Sequence, residues 1–581
     1  MATPEQEEPS PPGSTIRQIF ARRVPHVVGA YLLSAWALVE FVNWLVVRYG
    51  GNGAWVDALF TALALQAPLV AYLAWFHGRP GRDRWYRAQW TSATLSLVAG
   101  TALGALVFYR APNTDLGSPA VPTAPNTVAV LPFEDLSEAQ DSAYLADGFT
   151  TEIGSALSRL TELRVVSRSS SFTLSNQLDD VRKIAAQLGV ANVLEGSIRR
   201  SGDRIRVNVQ LSSAADGFEV WSDSYDRQLA DVFAIQDEIS VAVVNALKLH
   251  VPAGLIGSAA DNHSRNLEAY DHYLRGRYFW NERELEGFQK AEEQFQAAVA
   301  IDSTYAAAYA GLSDVYVSYY DYGFLSLDES NAKAQESAEK ALALNPRLAE
   351  AHTSLAHLDL HYWRWTDGER RFRRALELDP NSAQAHHWYA LALTALGRVD
   401  QAVDQLRIAR NLEPLSELMN ADFGMALYAA KRFDEAIAQE LKTLELDPAN
   451  RTAMWILGLS YEGAGRYDEA IAQFESTLKL SPNSINIKSS LAHTYARVSR
   501  TADAQTLLGE LLSRSEEPEF PVYTLAVVNV GLGDHDEALR WLEKTYEQNS
   551  GWVRYLKVDT RLDPLRSDPR FADLIDKIGL P

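Results

Sequence analysis

The side chains in this sequence best suited to chemistry are histidines and carboxylates. His357 and His361 stand four residues apart, on one face of any helix, which is ligand geometry for a metal ion. His352, His386 and His387 lie close by in sequence. No His-Glu-x-x-His pattern accompanies them, and the chain has no cysteine, so no zinc-protease or thiolate site is completed. Paired helical histidines of this kind are ordinarily surface residues, and no metal is expected. Glu134, Asp135, Asp141, Asp147 and Glu152 form an acidic group suited to acid–base work or to a divalent cation. The rest of a catalytic set is missing: there is no phosphate-cradling glycine loop and no nucleophile elbow. A carboxylate at a helix start is more often a cap. The hydroxyl-rich run Ser167–Ser171 reads as a polar loop, and Arg199, Arg200 and Arg204 as the solvated edge of a hairpin. The expectation is a non-enzyme with no catalytic residues and no cofactor.

The histidines fall inside a periodic frame. Prolines stand at 346, 380, 414, 448 and 482, a spacing of 34 residues four times over, the mark of stacked helical hairpins. One unit reads Trp455-x-x-Gly458-x-x-Tyr461, then Gly465, Tyr467, Ala470, Phe474 and Pro482. Small residues stand where two helices touch, and proline follows each second helix because it cannot continue one. About eight units are expected over residues 266–550, with a capping segment at 551–581. The second unit is nine residues over length, an excess assigned to the stretch Tyr319–Asn331 between its helices. Stacked hairpins present an extended inner face built from the first helix of each unit. In the register set by Gly458 that face carries Thr353, His357, Leu360, His361, Gln384, His387, Met425, Tyr428, Thr452, Trp455, His493 and Arg497. Aromatics, histidines and few charges suit an extended peptide or a partner helix. The groove residues expected to matter most are His357, His361, His387, Tyr428, Thr452, Trp455, His493 and Arg497.

Ahead of the repeats, residues 127–252 alternate strand and helix patterns in the order β-α-β-α-β-β-β-α, which implies a mixed sheet with helices packed on it. Ser201-Gly202-Asp203 joins two alternating runs as a hairpin, and Trp221 is a candidate core aromatic. Residues 111–126 are a proline-rich linker. Residues 1–24 are polar at the start and expected to be a disordered cytoplasmic tail. Residues 25–110 hold three apolar runs, Val27–Val47, Trp55–Phe76 and Trp90–Tyr109, each of bilayer-spanning length. Arginines at 17, 22 and 23 and at 79, 82, 84 and 87 would keep the amino terminus and the second loop inside. The expected location is therefore a bacterial inner membrane, multi-pass, with the bulk of the chain in the periplasm. Glu40 within the first run and the Gly100–Gly104 spacing in the third leave proton relay and homo-dimerisation through the spans as further options. The net charge is −21, and residues 116–581 carry 45 basic against 68 acidic groups. So acidic a body argues against nucleic acid as a partner.

The stretches TVAVLPFEDLS, YLADGFTTEIGSALSRL, LRVVSRSSSF, ANVLEGSIRRSGDRIRVNVQL and WSDSYDRQLADVFAIQDEIS resemble the TolB amino-terminal-type (FlgO-like) domain. In bacterial membrane proteins that domain often lies between an output module and tetratricopeptide repeats. Relatives of this kind carry an adenylate/guanylate cyclase, a winged-helix DNA-binding domain or a kinase ahead of it, and residues 16–90 resemble their membrane anchor. The tail RLDPLRSDPRFADLIDKIGLP resembles their carboxyl end. The resemblance implies the sensing or scaffolding half of such a protein, without the output domain. The expected fold is multidomain: three transmembrane helices, a mixed α/β domain and an all-α repeat solenoid. The expected function is a membrane-tethered protein-binding scaffold or sensor. The alternative is a signalling subunit coupling a periplasmic binding event to a separate cytoplasmic cyclase or transcription regulator.

Overall fold

A computed structural model describes residues 126–137, 143–175, 180–249, 264, 266–517 and 520–580, with a few scattered positions between 28 and 39. Strands β1 (Thr127–Val130), β2 (Glu134–Asp135), β3 (Arg164–Val166), β4 (Asn192–Ser201), β5 (Arg204–Ser213) and β6 (Glu219–Gln228) form one mixed sheet. Its order is β3-β1-β4-β5-β6, with β2 paired to β4. The β1 pairings with β3 and β4 are parallel, and β4, β5 and β6 run antiparallel. Helices α1 (Ala143–Ser158), α2 (Arg168–Ser175), α3 (Val181–Leu188) and α4 (Val232–Ala246) complete the domain. β4 is buried over Asn192–Leu194, where it lies between β1 and β5 in the sheet interior. β5 alternates exposed and buried along Arg204–Val209, one face on the core and one in water. Gly202 takes φ +59 at the first position of the two-residue β4–β5 turn, a conformation glycine adopts without steric cost. The run Ser167–Ser171 is not a loop: helix α2 begins at Arg168, and the Ser171 hydroxyl folds back onto the Ser167 carbonyl four residues earlier. Trp221 is only half-buried, at the margin of the core.

Sixteen helices then form eight hairpins. They are α5 (Leu267–Trp280) with α6 (Leu285–Ile301), α7 (Ala306–Asp321) with α8 (Leu327–Leu344), α9 (Ala349–His361) with α10 (Trp365–Leu378), and α11 (Ala383–Ala395) with α12 (Val399–Leu412). The others are α13 (Glu417–Ala429) with α14 (Phe433–Leu446), α15 (Arg451–Gly463) with α16 (Tyr467–Leu480), α17 (Ile485–Arg497) with α18 (Thr501–Leu512), and α19 (Tyr523–Leu532) with α20 (His535–Glu547). Within a hairpin a large side chain seats on a glycine: a methyl at Gly458 would overlap the Phe474 ring and one at Gly276 the Phe295 ring, and the same ring also fills the space at Gly311 of the next hairpin. Beyond the hairpins the chain makes two 3₁₀ turns, Gly551–Tyr555 and Thr560–Leu565, and a last helix α21 (Pro569–Lys577).

The three-helix membrane anchor is corrected. Among the described residues no helix is long and apolar enough to cross a membrane, so three transmembrane helices are not part of the fold described. The inner-membrane, multi-pass placement with a periplasmic body falls with them, as does a dimer through the spans. The runs on which that expectation rested lie, but for those scattered positions, outside the described residues, as do Glu40, Gly100 and Gly104.

Candidate functional site

The inner face of the array is built by α7, α9, α11, α13, α15, α17 and α19. Neighbouring first helices place equivalent positions side by side, so polar groups about one repeat apart in sequence meet across the units. His387 Nε2 lies 2.6 Å from Asp422 Oδ2. Trp455 Nε1 donates to Ser490 Oγ at 2.9 Å. Glu462 Oε1 receives His493 Nδ1 at 2.7 Å and the Thr494 hydroxyl at 2.8 Å. Of the eight expected groove residues, only Thr452 and Arg497 are well exposed. His387, Tyr428 and His493 are buried, and Trp455 is partly so.

At the α7–α9 step, three ligand-type atoms converge. His357 Nε2 is 3.0 Å from Asp321 Oδ1 and 3.1 Å from His361 Nε2, and His361 Nε2 is 3.9 Å from Asp321 Oδ1. Trp388 stacks on His357 at 3.8 Å between ring centroids, and Tyr320 meets His361 edge-on at 4.7 Å. Burial holds His361 well below the usual imidazole range, helped by His357 and Arg554. Burial alone would raise the Asp321 carboxyl, but the His357 contact outweighs it and the group sits below its ordinary value.

Across the middle units the inner face is already covered, and by the chain itself. Trp552 stacks on Tyr523 at 5.5 Å and meets Trp455 at 6.2 Å. The Tyr428 hydroxyl is 3.0 Å from Thr560 Oγ1, and Lys431 pairs with Asp563 at 2.9 Å. Lys557 reaches the α11–α12 turn, where a methyl on Gly397 would lie 3.4 Å from its Cε. The anchor is a buried ion pair, Arg561 with Asp559 at 2.7 Å. Its remaining groups are used by Tyr523, which donates to Asp559 at 2.7 Å, and by Ser490, which accepts from Arg561 at 3.1 Å. Burial opposes both charges, yet their mutual contact keeps Asp559 low and Arg561 high. A buried pair needs this degree of satisfaction to be tolerated. Beside the segment, a pocket of about 360 Å³ is lined by Lys431, Phe433, Glu462, His493, Arg497 and Asp563, among others.

The acidic group of the α/β domain is not gathered into one site. Asp147 forms an ion pair with Arg168 at 2.5 Å, Glu152 is buried against the repeats, Glu134 and Asp135 lie on β2, and Asp141 is outside the described residues. A cleft of about 470 Å³ does open between this domain and the array, with Arg168, Arg277 and Arg283 facing Asp379 and Glu413. Burial pushes Asp379 up to about 6 and raises Glu413 as well.

Sequence reasoning missed Asp321, because it looked for ligands near the histidines rather than one repeat earlier. It also missed the tail as an occupant of the face. The signal available was the tail's own composition: Trp552, Tyr555 and Val558 are apolar in a segment expected only to cap an end.

Residues 372–404, 421–485 and 522–544 match family models described as tetratricopeptide repeat. The array is thus a tetratricopeptide solenoid. A Rhizobium meliloti (strain 1021) protein named "Putative adenylate cyclase 3" is 34% identical over 226 residues, 39% of this chain and 37% of that one. The chain therefore spans little more than a third of that relative's length. Among solved structures, a tetratricopeptide repeat protein from Parabacteroides merdae ATCC 43184 is 16% identical, covering 47% of this chain and 98% of its own, with a TM-score of 0.35. YrrB, described as a tetratricopeptide protein with an unusual peptide-binding site, is 19% identical over 33% of this chain and 95% of its own, with a TM-score of 0.28.

Proposed function

We propose that this chain is a non-catalytic scaffold whose repeat array binds a protein segment on its inner face. The observation that carries the reading is the segment already there. Gly551–Leu565 is held by aromatic stacking on Tyr523, an edge-on contact with Trp455 and the buried Asp559–Arg561 pair. A face that accommodates that peptide has the chemistry to hold a partner of similar pattern: aromatic, then acidic, then basic. Arg497, exposed beside it, offers a second contact zone, and Thr452 is exposed at the start of α15. The name of the Rhizobium meliloti relative favours a place in cyclase-type signalling, with this chain as the sensing or docking part and the output elsewhere. The TolB amino-terminal-type resemblance of residues 127–252 supports the same placement.

The test is a labelled synthetic peptide of residues 550–566, titrated against the full chain carrying Trp552→Ala and Arg561→Ala, changes that loosen the resident segment. Saturable binding is expected, weakened at least ~10-fold by adding Trp455→Ala, about the loss of one aromatic anchor. A folded variant that ignores the peptide would overturn the reading.

A further inference from the structure

We propose that Asp321, His357 and His361 form a binding site for a divalent transition-metal ion, zinc first among candidates, joining the second and third repeat units. Two imidazole nitrogens and one carboxylate oxygen are a donor set for zinc and its neighbours rather than for calcium or magnesium, which take oxygen. The atoms converge: their separations are 3.0, 3.1 and 3.9 Å. Ligands about 2.1 Å from a common tetrahedral ion stand ~3.4 Å apart, so these separations bracket the expected value.

The hydrogen bonding of the three groups by themselves is incomplete. If His357 carries its proton on Nε2, one proton serves two acceptors, the Asp321 oxygen and His361 Nε2. If His361 carries it, His357 Nε2 faces the Asp321 carboxylate lone pair to lone pair at 3.0 Å. A cation meets all three lone pairs at once. Neither arrangement gives a partner to His357 Nδ1, which is buried and unbonded among the described residues.

The scaffold fixes the donors. His357 and His361 share one face of α9, and Asp321 is the last residue of α7. The Trp388 stack and the Tyr320 edge set the two ring planes. Asp321 is the open side, its side chain 28% exposed against 7% and 10% for the histidines. Three protein ligands leave a fourth position for water or an incoming group. Arg554, on the tail, acts electrostatically on both Asp321 and His361, and it favours an anion there, hydroxide or a carboxylate.

The experiment uses the full chain without a histidine tag, stripped with chelator and titrated with Co²⁺ and with Zn²⁺. Calorimetry is expected to show one equivalent bound. Co²⁺ is expected to give the visible ligand-field absorption of a site with nitrogen ligands, and Zn²⁺ to raise the melting temperature. His361→Gln is the principal variant, because His357 also packs under Trp388 and its loss could disturb the fold. His361→Gln should weaken binding ~100-fold and Asp321→Asn ~10-fold, with helical circular dichroism unchanged, while His272→Gln, on α5, leaves affinity as it was. No binding by the native chain, or equal affinity in folded His361→Gln, overturns the proposal.

Discussion

Glu440 is the residue whose position conflicts most with its chemistry. It stands 34 residues before Phe474, at the equivalent point of the preceding hairpin, and seats on Gly424 as Phe474 seats on Gly458. It is fully buried, and among the described residues neither carboxylate oxygen has a hydrogen-bond partner. Burial, with Asp422 nearby, pushes its pKa up to about 10. The unfolded chain releases this proton near the ordinary 4.5 and the folded chain keeps it, so folding holds an extra proton between those values. Stability therefore falls as pH rises from about 4.5 towards 10. Glu440→Gln should raise stability by roughly 2–4 kcal/mol at pH 8 and by almost nothing at pH 4, read from urea midpoints at the two values. The repeat period allowed Glu440 to be aligned with Phe474 from sequence. Its burial without partners was not legible, because an exposed glutamate on a surface helix has the same local pattern. His357 shows the opposite case: its spacing from His361 was legible, whereas Asp321 needed the neighbouring unit to be placed in space.

At the scale of elements, the turn inside each hairpin from the third onward repeats as faithfully as the prolines. Trp363, Gly397, Lys431, Gly465, Ser499 and Gly533 are 34 residues apart, and all take positive φ, from +55 to +81. Each ends the first helix so that the second can fold back, and only three of the six are glycine. A side chain in this conformation costs about 1 kcal/mol, which glycine avoids. Ser499 is exposed, so Ser499→Gly should stabilise by roughly 0.5–1 kcal/mol, seen as a higher denaturation midpoint; an unchanged or lower one would refute the strain argument. Only Gly397, Gly465 and Gly533 of these advertised the turn in sequence. The second hairpin misled in a related way. Its excess length lies mostly in helix, since α7 and α8 run 16 and 18 residues against 13 and 14 for α9 and α10. Tyrosine and serine near the end of α7 look like loop formers, yet they continue the helix because its buried face extends through Tyr319. Helix α2 was misread for the same reason, serine being neutral in a helix once tertiary contacts fix the backbone.

At the scale of the whole body from residue 126 onward, the α/β domain and the array are joined through the edge of the sheet. β3 is the outermost strand on that side, and an open edge invites pairing with other chains. Here the repeats close it. Asn381, in the turn before α11, donates to the Ser158 and Leu163 carbonyls at 2.7 and 2.9 Å and accepts from the Val165 amide at 3.4 Å. The Ser167 amide donates to the Leu412 carbonyl at 2.8 Å, and the Leu415 amide to the Ser170 hydroxyl at 3.4 Å. With the Leu160 carbonyl, 3.4 Å from its Nδ2, one side chain from the array therefore meets four backbone groups of the neighbouring domain, and none of this was visible in sequence, where Asn381 follows a repeat proline like any other turn residue. Removing it leaves those groups to be satisfied by water at a partly buried seam, at a cost of about 2 kcal/mol. Asn381→Ala should keep both parts folded but let them separate more often. Hydrogen exchange is expected to quicken at Val165 and Ser167 while the β4–β5 hairpin, far from the seam, keeps its protection. Equal protection at Val165 in the variant would show that the backbone contacts at Leu412 hold the domains together without Asn381.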